Sequence, residues 1–278
     1  MWIDELFGTR KPIISMLHLD PLPGDPRFGH NGGTLKGAVE HAKRDLDALQ
    51  RGGVDGVIVS NEFSLPYQRH MDYVTPASMA YVIGQLKPQL SVPYGVDAIS
   101  DGLACIELAA ACEAAFVRGT FSGVYVGDGG LYDNDFSVLM RRKAALCLGD
   151  LKMLYFINPE SDRSLDTRAL SDIAASTIFK AHPDGLCVSA ASAGFDVDRD
   201  LIDSVKRKNP EVAVLVNTGC RPDTIREKLS VCDAAVVGTY FKEGGRFEDA
   251  RFDNVRVDVD RVREFMDVVH DVRVGLQR

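Results

Sequence analysis

The sequence predicts an α/β chain folded as a (β/α)8 TIM barrel. Three observations carry that expectation. Eight short apolar runs occur, each followed by a segment with helical apolar spacing. The runs are continuous rather than alternating, as strands covered on both faces must be. The length of 278 residues suits one barrel, for which about 250 residues is typical. Eight such units in one chain favour a closed barrel over a doubly wound sheet. No linker, low-complexity tract or charge block divides the sequence, so residues 1–278 read as a single domain.

The elements follow in order. Residues 1–8, with Trp2, Ile3, Leu6 and Phe7, read as a short amphipathic helix that covers the barrel bottom; a subunit contact is the alternative use of that face. Strand one is Pro12 to Leu17, leading through His18 and Asp20 into a loop rich in Pro and Gly, PLPGDPRFGHNGG, which excludes regular structure. A helix follows from Thr34 with the stripe Leu35, Val39, Ala42, Leu46 and Leu49, stopped by Gly52-Gly53. Strand two is Val54 to Ser60, with Asn61 and Glu62 at its end; strand three is Val92 to Val96, ending at Asp97. Strand four is Ala115 to Val117, ending at Arg118, and leads into a loop whose GDGG at 127–130 reads as a lid turn. That GDGG lacks the strand-then-helix setting of a dinucleotide fingerprint. Strand five is Lys152 to Ile157, ending at Asn158; strand six is Gly185 to Val188, ending at Ser189.

Strands seven and eight are Val212 to Val216 and Ala234 to Val237. The first breaks into Asn217, Thr218, Gly219 and Cys220, the second into Gly238 and Thr239 before a short segment closed by Gly244-Gly245. Glycine lets backbone N–H groups approach an anion, a helix N-terminus favours negative charge, and barrels use this corner for phosphate. Gly219, Cys220, Gly238 and Thr239 are therefore the expected phosphate-binding residues; plain turn glycines are the alternative.

Barrel enzymes work at the C-terminal ends of their strands. Those ends supply a polar ring: His18, Asp20, Asn61, Glu62, Asp97, Arg118, Asn158, Ser189, Asn217 and Thr239. Glu62 and Asp97, on adjacent strands, are the candidate catalytic pair, able to divide acid and base roles or to share a divalent metal. Their alternative is an ion pair with Arg118. His18, Asn61, Arg118, Asn158 and Asn217 are expected to orient substrate oxygens. No second histidine stands at zinc spacing from His18, and no strand end carries a lysine for an imine. Lys242 beyond strand eight suits an anion better.

Net charge is −8 at pH 7, which argues against a nucleic-acid surface. The cysteines, Cys105, Cys112, Cys147, Cys187, Cys220 and Cys232, form no CxxC pair, and most read as buried thiols of a reducing compartment; Cys220, beside the expected phosphate loop, is the exception, with a nucleophilic role as its alternative. No apolar stretch reaches membrane-span length, and MWIDELFGTRK lacks a signal-peptide core. The expectation is a cytoplasmic protein taking a small phosphorylated substrate, with no evident cofactor; homo-oligomerisation is left open.

The stretches MLHLDPLPGDPRF, GGVDGVIVSNEFSLPY, PYGVDAISD, FVRGTFSGVYVGDGG, HPDGLCVSAASAG, VLVNTGCRPDTI and GTYFKEGG resemble the BtpA family, and within it the SgcQ-like branch. The resemblance spans nearly the whole chain, and SNEFSLPY is the stretch most specific to the branch. It implies a barrel of the ribulose-phosphate binding group. For function it implies a link either to phosphosugar metabolism or to photosystem I accumulation. The family often carries Asp-x-His-x-Lys at strand five, where this chain reads Tyr155, Phe156, Ile157, Asn158 and Pro159. Its usual Thr-Gly-Glu at strand six reads Ser189, Ala190 and Ala191 here.

Two function classes follow. One is an enzyme that moves a proton on a phosphorylated sugar or similar ester (isomerase or epimerase), with a metal-assisted lyase behind it. The other is a non-enzymatic assembly or binding protein on a barrel scaffold.

Overall fold

The computed structural model describes residues 1–192, 194–245 and 255–276. The expected single unit, 1–278, also runs over positions outside these. Among the described residues eleven strands form: β1 (Ile13–His18), β2 (Gly56–Ser60), β3 (Tyr94–Asp97), β4 (Phe116–Gly119), β5 (Val124–Gly127), β6 (Gly130–Asp133), β7 (Lys152–Phe156), β8 (Arg163–Ser164), β9 (Gly185–Val188), β10 (Ala213–Val216) and β11 (Ala234–Val237). Eight of them close into a parallel barrel in the order β1-β2-β3-β4-β7-β9-β10-β11 and back to β1. The fold is the (β/α)8 barrel that the sequence predicts.

Helices α1 (Trp2–Phe7), α2 (Leu35–Gly52), α3 (Val74–Leu86), α4 (Gly102–Cys112), α5 (Phe136–Ala145), α6 (Leu170–Ala181), α7 (Arg199–Lys208), α8 (Pro222–Leu229) and α9 (Val259–Gly275) accompany them. Several begin where a short polar side chain can satisfy free N–H groups. Thr34 accepts from the Gly37 N–H, and the Asp101 carboxylate from those of Leu103 and Ala104. Asp135, Asp198 and Asp258 cap α5, α7 and α9 in the same way.

Alternation along each strand explains the continuous apolar runs. In β1, Ile13 and Leu17 join the outer layer under the helices, while Ile14 and Met16 fill the barrel. In β7, Met153 and Tyr155 face out, and Leu154 and Phe156 face in. Both faces are buried, so neither is polar.

The bottom is closed by α1. Ile3 and Phe7 belong to the interior cluster, and Trp2 Nε1 donates to the Asp184 carbonyl, just before β9, at 2.8 Å. The Phe7 ring meets Phe116 edge-on, centroids 5.6 Å apart. A Cβ on Gly56 would lie 2.4 Å from the Phe7 ring, and one on Gly95 2.4 Å from Phe116. Each glycine is the space that an aromatic ring fills.

Strand edges depart from the sequence reading by one or two residues, and one shift has meaning. Arg118 lies inside β4 rather than past its end. The larger departure is at 124–133, expected as a loose lid loop. There β5 and β6 pair antiparallel across Asp128-Gly129, Gly127 opposite Gly130, and β8 adds a third strand. Phe121 and Tyr125 are buried packing residues; the Phe121 ring meets Tyr155 at 5.1 Å.

Lys242 does not serve an anion. It is buried and paired with Asp45 of α2 at 3.0 Å, while Asp45 also accepts from the Val257 N–H. Asp20 is drawn into the same structure, contacting His41 and, at 3.0 Å, Arg256. These ions tie the loop after β1, α2 and the segment before α9 together; they are not part of the mouth.

The plug makes a testable statement. Gly56→Ala should destabilise by about 1–3 kcal/mol through overpacking, and Phe7→Ala by about 3–5 kcal/mol through cavity formation. The double variant should cost less than the sum, because the new methyl enters the space the ring has left. Urea denaturation of all four proteins measures this, and strict additivity would separate Gly56 from Phe7.

Candidate active site

A cavity of about 550 Å³ opens at the C-terminal ends of the barrel strands. Its floor includes Met16, Phe156 and Val236, and its wall carries His18, Glu62, Asp97, Arg118, Asn217 and Glu160. Over one side stand Asp128, Gly129 and Tyr132 of the β5–β6 hairpin.

Arg118 is the hub. Its Nε and Nη2 donate to Asp97 Oδ2 at 3.0 and 2.8 Å, and its Nη1 donates to Asn217 Oδ1 at 3.0 Å. Asn217 in turn donates to Ser189 Oγ at 3.0 Å. The guanidinium also lies 5.0 Å from the Phe156 ring centroid. Both Asp97 and Arg118 are buried. Asp97 is thus the arginine's partner: burial pushes its carboxyl up while Arg118 pulls it back.

Glu62 is differently placed. Its side chain keeps 32% exposure to the cavity and lies 3.8 Å from His18 Nε2, too far for a hydrogen bond. Burial raises the pKa of Glu62 above the usual carboxylate value, against Arg118 and with a further push from Asp97. His18 goes the other way: burial first, then Lys242 and Arg118, hold its imidazole well below 6.5. It is neutral at pH 7, and its Nδ1 is buried without a partner.

Asn61 and Asn158, expected to bind substrate, do not line the cavity. Asn61 Oδ1 accepts from the Ile99 N–H at 2.9 Å and pins the end of β2 to the loop after β3. Asn158 makes two bonds to the Ser189 backbone, from its N–H at 3.0 Å and to its carbonyl at 2.6 Å. An amide side chain at a strand end serves a neighbouring backbone as well as a ligand, and here both are spent on the barrel rim.

The four residues expected around phosphate all line the cavity. Gly219 has φ +63 and a Cβ there would lie 2.0 Å from the Phe195 carbonyl oxygen, so packing alone demands glycine. Its carbonyl is held by buried Lys228 at 3.2 Å. Gly238 is freer: its φ is −124, and a Cβ would sit 3.3 Å from His18 and Met16. Among the described residues, the backbone N–H groups of Gly219, Cys220 and Gly238 donate to no protein acceptor. The Cys220 thiol is buried and pushed up to about 12, which rules it out as a ready nucleophile.

Three contributors escaped the sequence reading. Arg221, at the N-terminus of α8, and Thr218 join the phosphate side. Glu160 lies beyond the end of β7 in the stretch leading to β8, where reading strand ends does not reach. Among the described residues no group of three or more His, Cys, Asp or Glu is arranged to hold a metal ion.

The sequence profile of the BtpA family matches residues 9–271. The chain belongs to that family. Within it, the chain is 42% identical over 272 residues to the putative sgc region protein SgcQ of Escherichia coli (strain K12), covering 98% of this chain and 99% of that one. It is 27% identical over 256 residues to the photosystem I biogenesis protein BtpA of Synechocystis sp., covering 91% and 88%. Among solved structures, (S)-3-O-geranylgeranylglyceryl phosphate synthase from Thermoplasma acidophilum, in complex with sn-glycerol-1-phosphate, superposes with a TM-score of 0.60 at 13% identity over 97% of each chain. At that identity the likeness is one of fold. No helix of this BtpA-family chain is long and apolar enough to cross a membrane, among the described residues.

Two outcomes test the electrostatics. Arg118→Met should cost about 3–5 kcal/mol, because Asp97 is left as an unpaired buried charge. Adding Asp97→Asn should return part of the loss; wild-type stability in the single variant would remove Arg118 as the tie. His18, with its folded value lowered, binds fewer protons than the unfolded chain below pH 6.5. Its contribution is therefore whole above that pH and is lost as pH falls below it. His18→Gln should flatten the wild-type dependence of melting temperature on pH below 6.5; an unchanged slope would contradict the buried neutral imidazole.

Proposed function

We propose that this chain is a cytoplasmic enzyme acting on a phosphorylated sugar or similar small phosphate ester, moving a proton at a carbon beside a carbonyl or hydroxyl group. The reaction class is isomerisation or epimerisation. One observation carries the reading: a single cavity takes in the two glycine turns after β10 and β11 together with Glu62, Arg118 and His18.

In this reading the N–H groups of Gly219, Cys220, Gly238 and Thr239 hold the phosphate, with Arg221 adding charge at the rim. Unpaired backbone donors near a helix N-terminus suit an anion without further help. Glu62, with a pKa raised by burial, is the proton acceptor, since a general base works best when tuned toward the working pH. Arg118 and Asn217 orient substrate oxygens, and Asp97 holds Arg118. The structural neighbour solved in complex with sn-glycerol-1-phosphate supports a small phosphate ester as the ligand of such a barrel.

The second reading is a binding or assembly protein. The relative named a photosystem I biogenesis protein favours it, as does the lack of an Asp-x-His-x-Lys pattern at Tyr155–Pro159.

Gly238 separates the readings better than Gly219, whose glycine is demanded by packing. Gly238→Asp is expected to weaken binding of glycerol phosphate and simple sugar phosphates by more than about tenfold, or about 1.4 kcal/mol, with little change in melting temperature. Calorimetric titration of both proteins makes the comparison. If the wild type binds none of these at millimolar concentration, the phosphate site is refuted and the assembly reading takes its place.

A further inference from the structure

The barrel mouth is divided by its strand order. One half of the ring is β2-β3-β4-β7, and the other is β9-β10-β11-β1. The expected phosphate turns follow β10 and β11, the middle of the second half. A ligand anchored there by its phosphate extends its other end toward the middle of the first half. That half carries Glu62, Asp97, Arg118 and Glu160 in strand order.

Charge in this half does not balance. Three carboxyl groups face one guanidinium, and Asp97 takes two of its N–H bonds. His18, beside Glu62, is neutral. Like charges in a poorly solvated site do not both ionise at ordinary pH. One carboxyl therefore keeps a proton. Glu160 is the one with an orphan atom: its Oε2 is buried and meets no hydrogen-bond partner. A carboxylate oxygen so placed is costly, whereas a carboxylic acid there is a donor facing a ligand cavity.

We propose that Glu160 is a second catalytic residue, the acid that protonates the substrate oxygen while Glu62 takes the proton from the adjacent carbon. The proposal rests on the phosphate-ester reading above and names the substrate class within it: an α-hydroxy aldehyde or ketone whose carbonyl lies at the end remote from the phosphate. The step balances. The C–H bond breaks, its proton goes to the Glu62 carboxylate, and its electron pair forms the C=C bond of an enediol. The Glu160 O–H proton moves to the former carbonyl oxygen. Return of a proton from Glu62 to carbon, and of one from an enediol hydroxyl to Glu160, completes the isomerisation without an oxidant or reductant.

The two groups stand just beyond β2 and beyond β7, the two ends of this half-ring, so a reacting carbon lying between them meets a base on one side and an acid on the other. Burial raises Glu160 to about 7, with Glu62 and Asp97 adding and Arg118 opposing. The other titratable groups around it are Tyr67, Cys187 and His18, all held uncharged at neutral pH, and the Asp128 and Asp162 carboxylates at the rim. None of these supplies a further cation, so the proton is the available counter-charge.

The test needs three measurements on the whole chain and its Glu160→Gln and Glu160→Asp variants. Carboxyl-carbon NMR should reveal a resonance titrating near pH 7 in the wild type and missing from Glu160→Gln. Deuterium uptake from solvent into dihydroxyacetone phosphate and longer ketose phosphates should fall by about 100-fold or more in Glu160→Gln, with partial recovery in Glu160→Asp. Glu62→Gln should also abolish exchange. The wild-type rate should fall as pH rises through the Glu160 titration, and Glu160→Gln should lack that fall. Calorimetric affinity for inorganic phosphate should stay within about twofold, a change of less than about half a kcal/mol.

Wild-type exchange rates in Glu160→Gln, or a Glu160 that titrates in the ordinary carboxylate range, would overturn the proposal while leaving the phosphate reading intact. Phosphate binding without any exchange by the wild type would overturn it too. Failure of the wild type to bind phosphate esters at all would instead refute the underlying reading, and the proposal with it.

Discussion

The upper barrel depends on one buried guanidinium. Arg118 leaves β4, gives two N–H bonds to Asp97 at the end of β3, and reaches Asn217 after β10 on the far half of the ring. A cation in that position would be untenable alone, since removing a charge from water costs several kcal/mol. Asp97 makes it tenable, and the ring of Phe156 beneath offers its negative face. Once in place, the same charge acts on every titratable group around it. It lowers the carboxyls of Glu62 and Glu160 and disfavours a second cation on His18. Burial outweighs it at both glutamates. The mouth therefore holds a fixed ion pair, an imidazole kept neutral by burial, Lys242 and Arg118, and two carboxyls that burial raises against the pull of Arg118.

The burial that shifts these groups comes from the packing below. An eight-stranded barrel is just wide enough for side chains to fill. Here Phe7, Phe116 and Phe156 supply much of that filling from the plug upward, with Ile14, Ile58 and Leu215 around them. Gly56 and Gly95 are the positions where two of the rings would otherwise collide with the wall. Water is excluded from beneath the site, so charge at the mouth is screened from one side only. Packing at the bottom and acidity at the top are therefore one design: a loosened plug would admit water and let the glutamates relax toward ordinary behaviour.

Much of this was legible in the sequence because it follows from periodicity. Continuous apolar runs announced strands buried on both faces, and Asp101, Asp135 and Thr34 marked the helix starts they cap. The strand ends His18, Glu62, Asp97, Arg118 and Asn217 and the two glycine turns line one cavity. What the ends could not reveal is which way a side chain turns. Asn61 and Asn158 spend their amides on neighbouring backbone, and Lys242 and Asp20 are drawn into the ion network with Asp45, His41 and Arg256. Those partners are distant in sequence, so only the fold brings them together. The β5–β6 hairpin was signalled after all. Asp128-Gly129 flanked by Val124-Tyr125-Val126 and Leu131-Tyr132 is a hairpin pattern, obscured by reading GDGG only as a lid turn. Glu160 carried no signal, lying in a connection with no period of its own.

The departure of strand five from the wider BtpA pattern takes a different meaning once the register is known. Tyr155 and Ile157 pack in the outer layer beneath the helices, and Phe156 lies inside beneath Arg118. Polar groups at 155 and 157 would face the helices in this register, not the mouth. Of the stretch Tyr155–Pro159, Phe156 and Pro159 reach the cavity, and the next residue along is Glu160. Tyr155 and Ile157 therefore consolidate the wall of the barrel and take no place in the cavity lining. On the opposite half of the ring, the backbone N–H groups of Gly219, Cys220 and Gly238 meet no protein acceptor among the described residues. Past the end of β7, the first charged side chain that reaches the cavity is Glu160, on the half of the ring opposite those N–H groups.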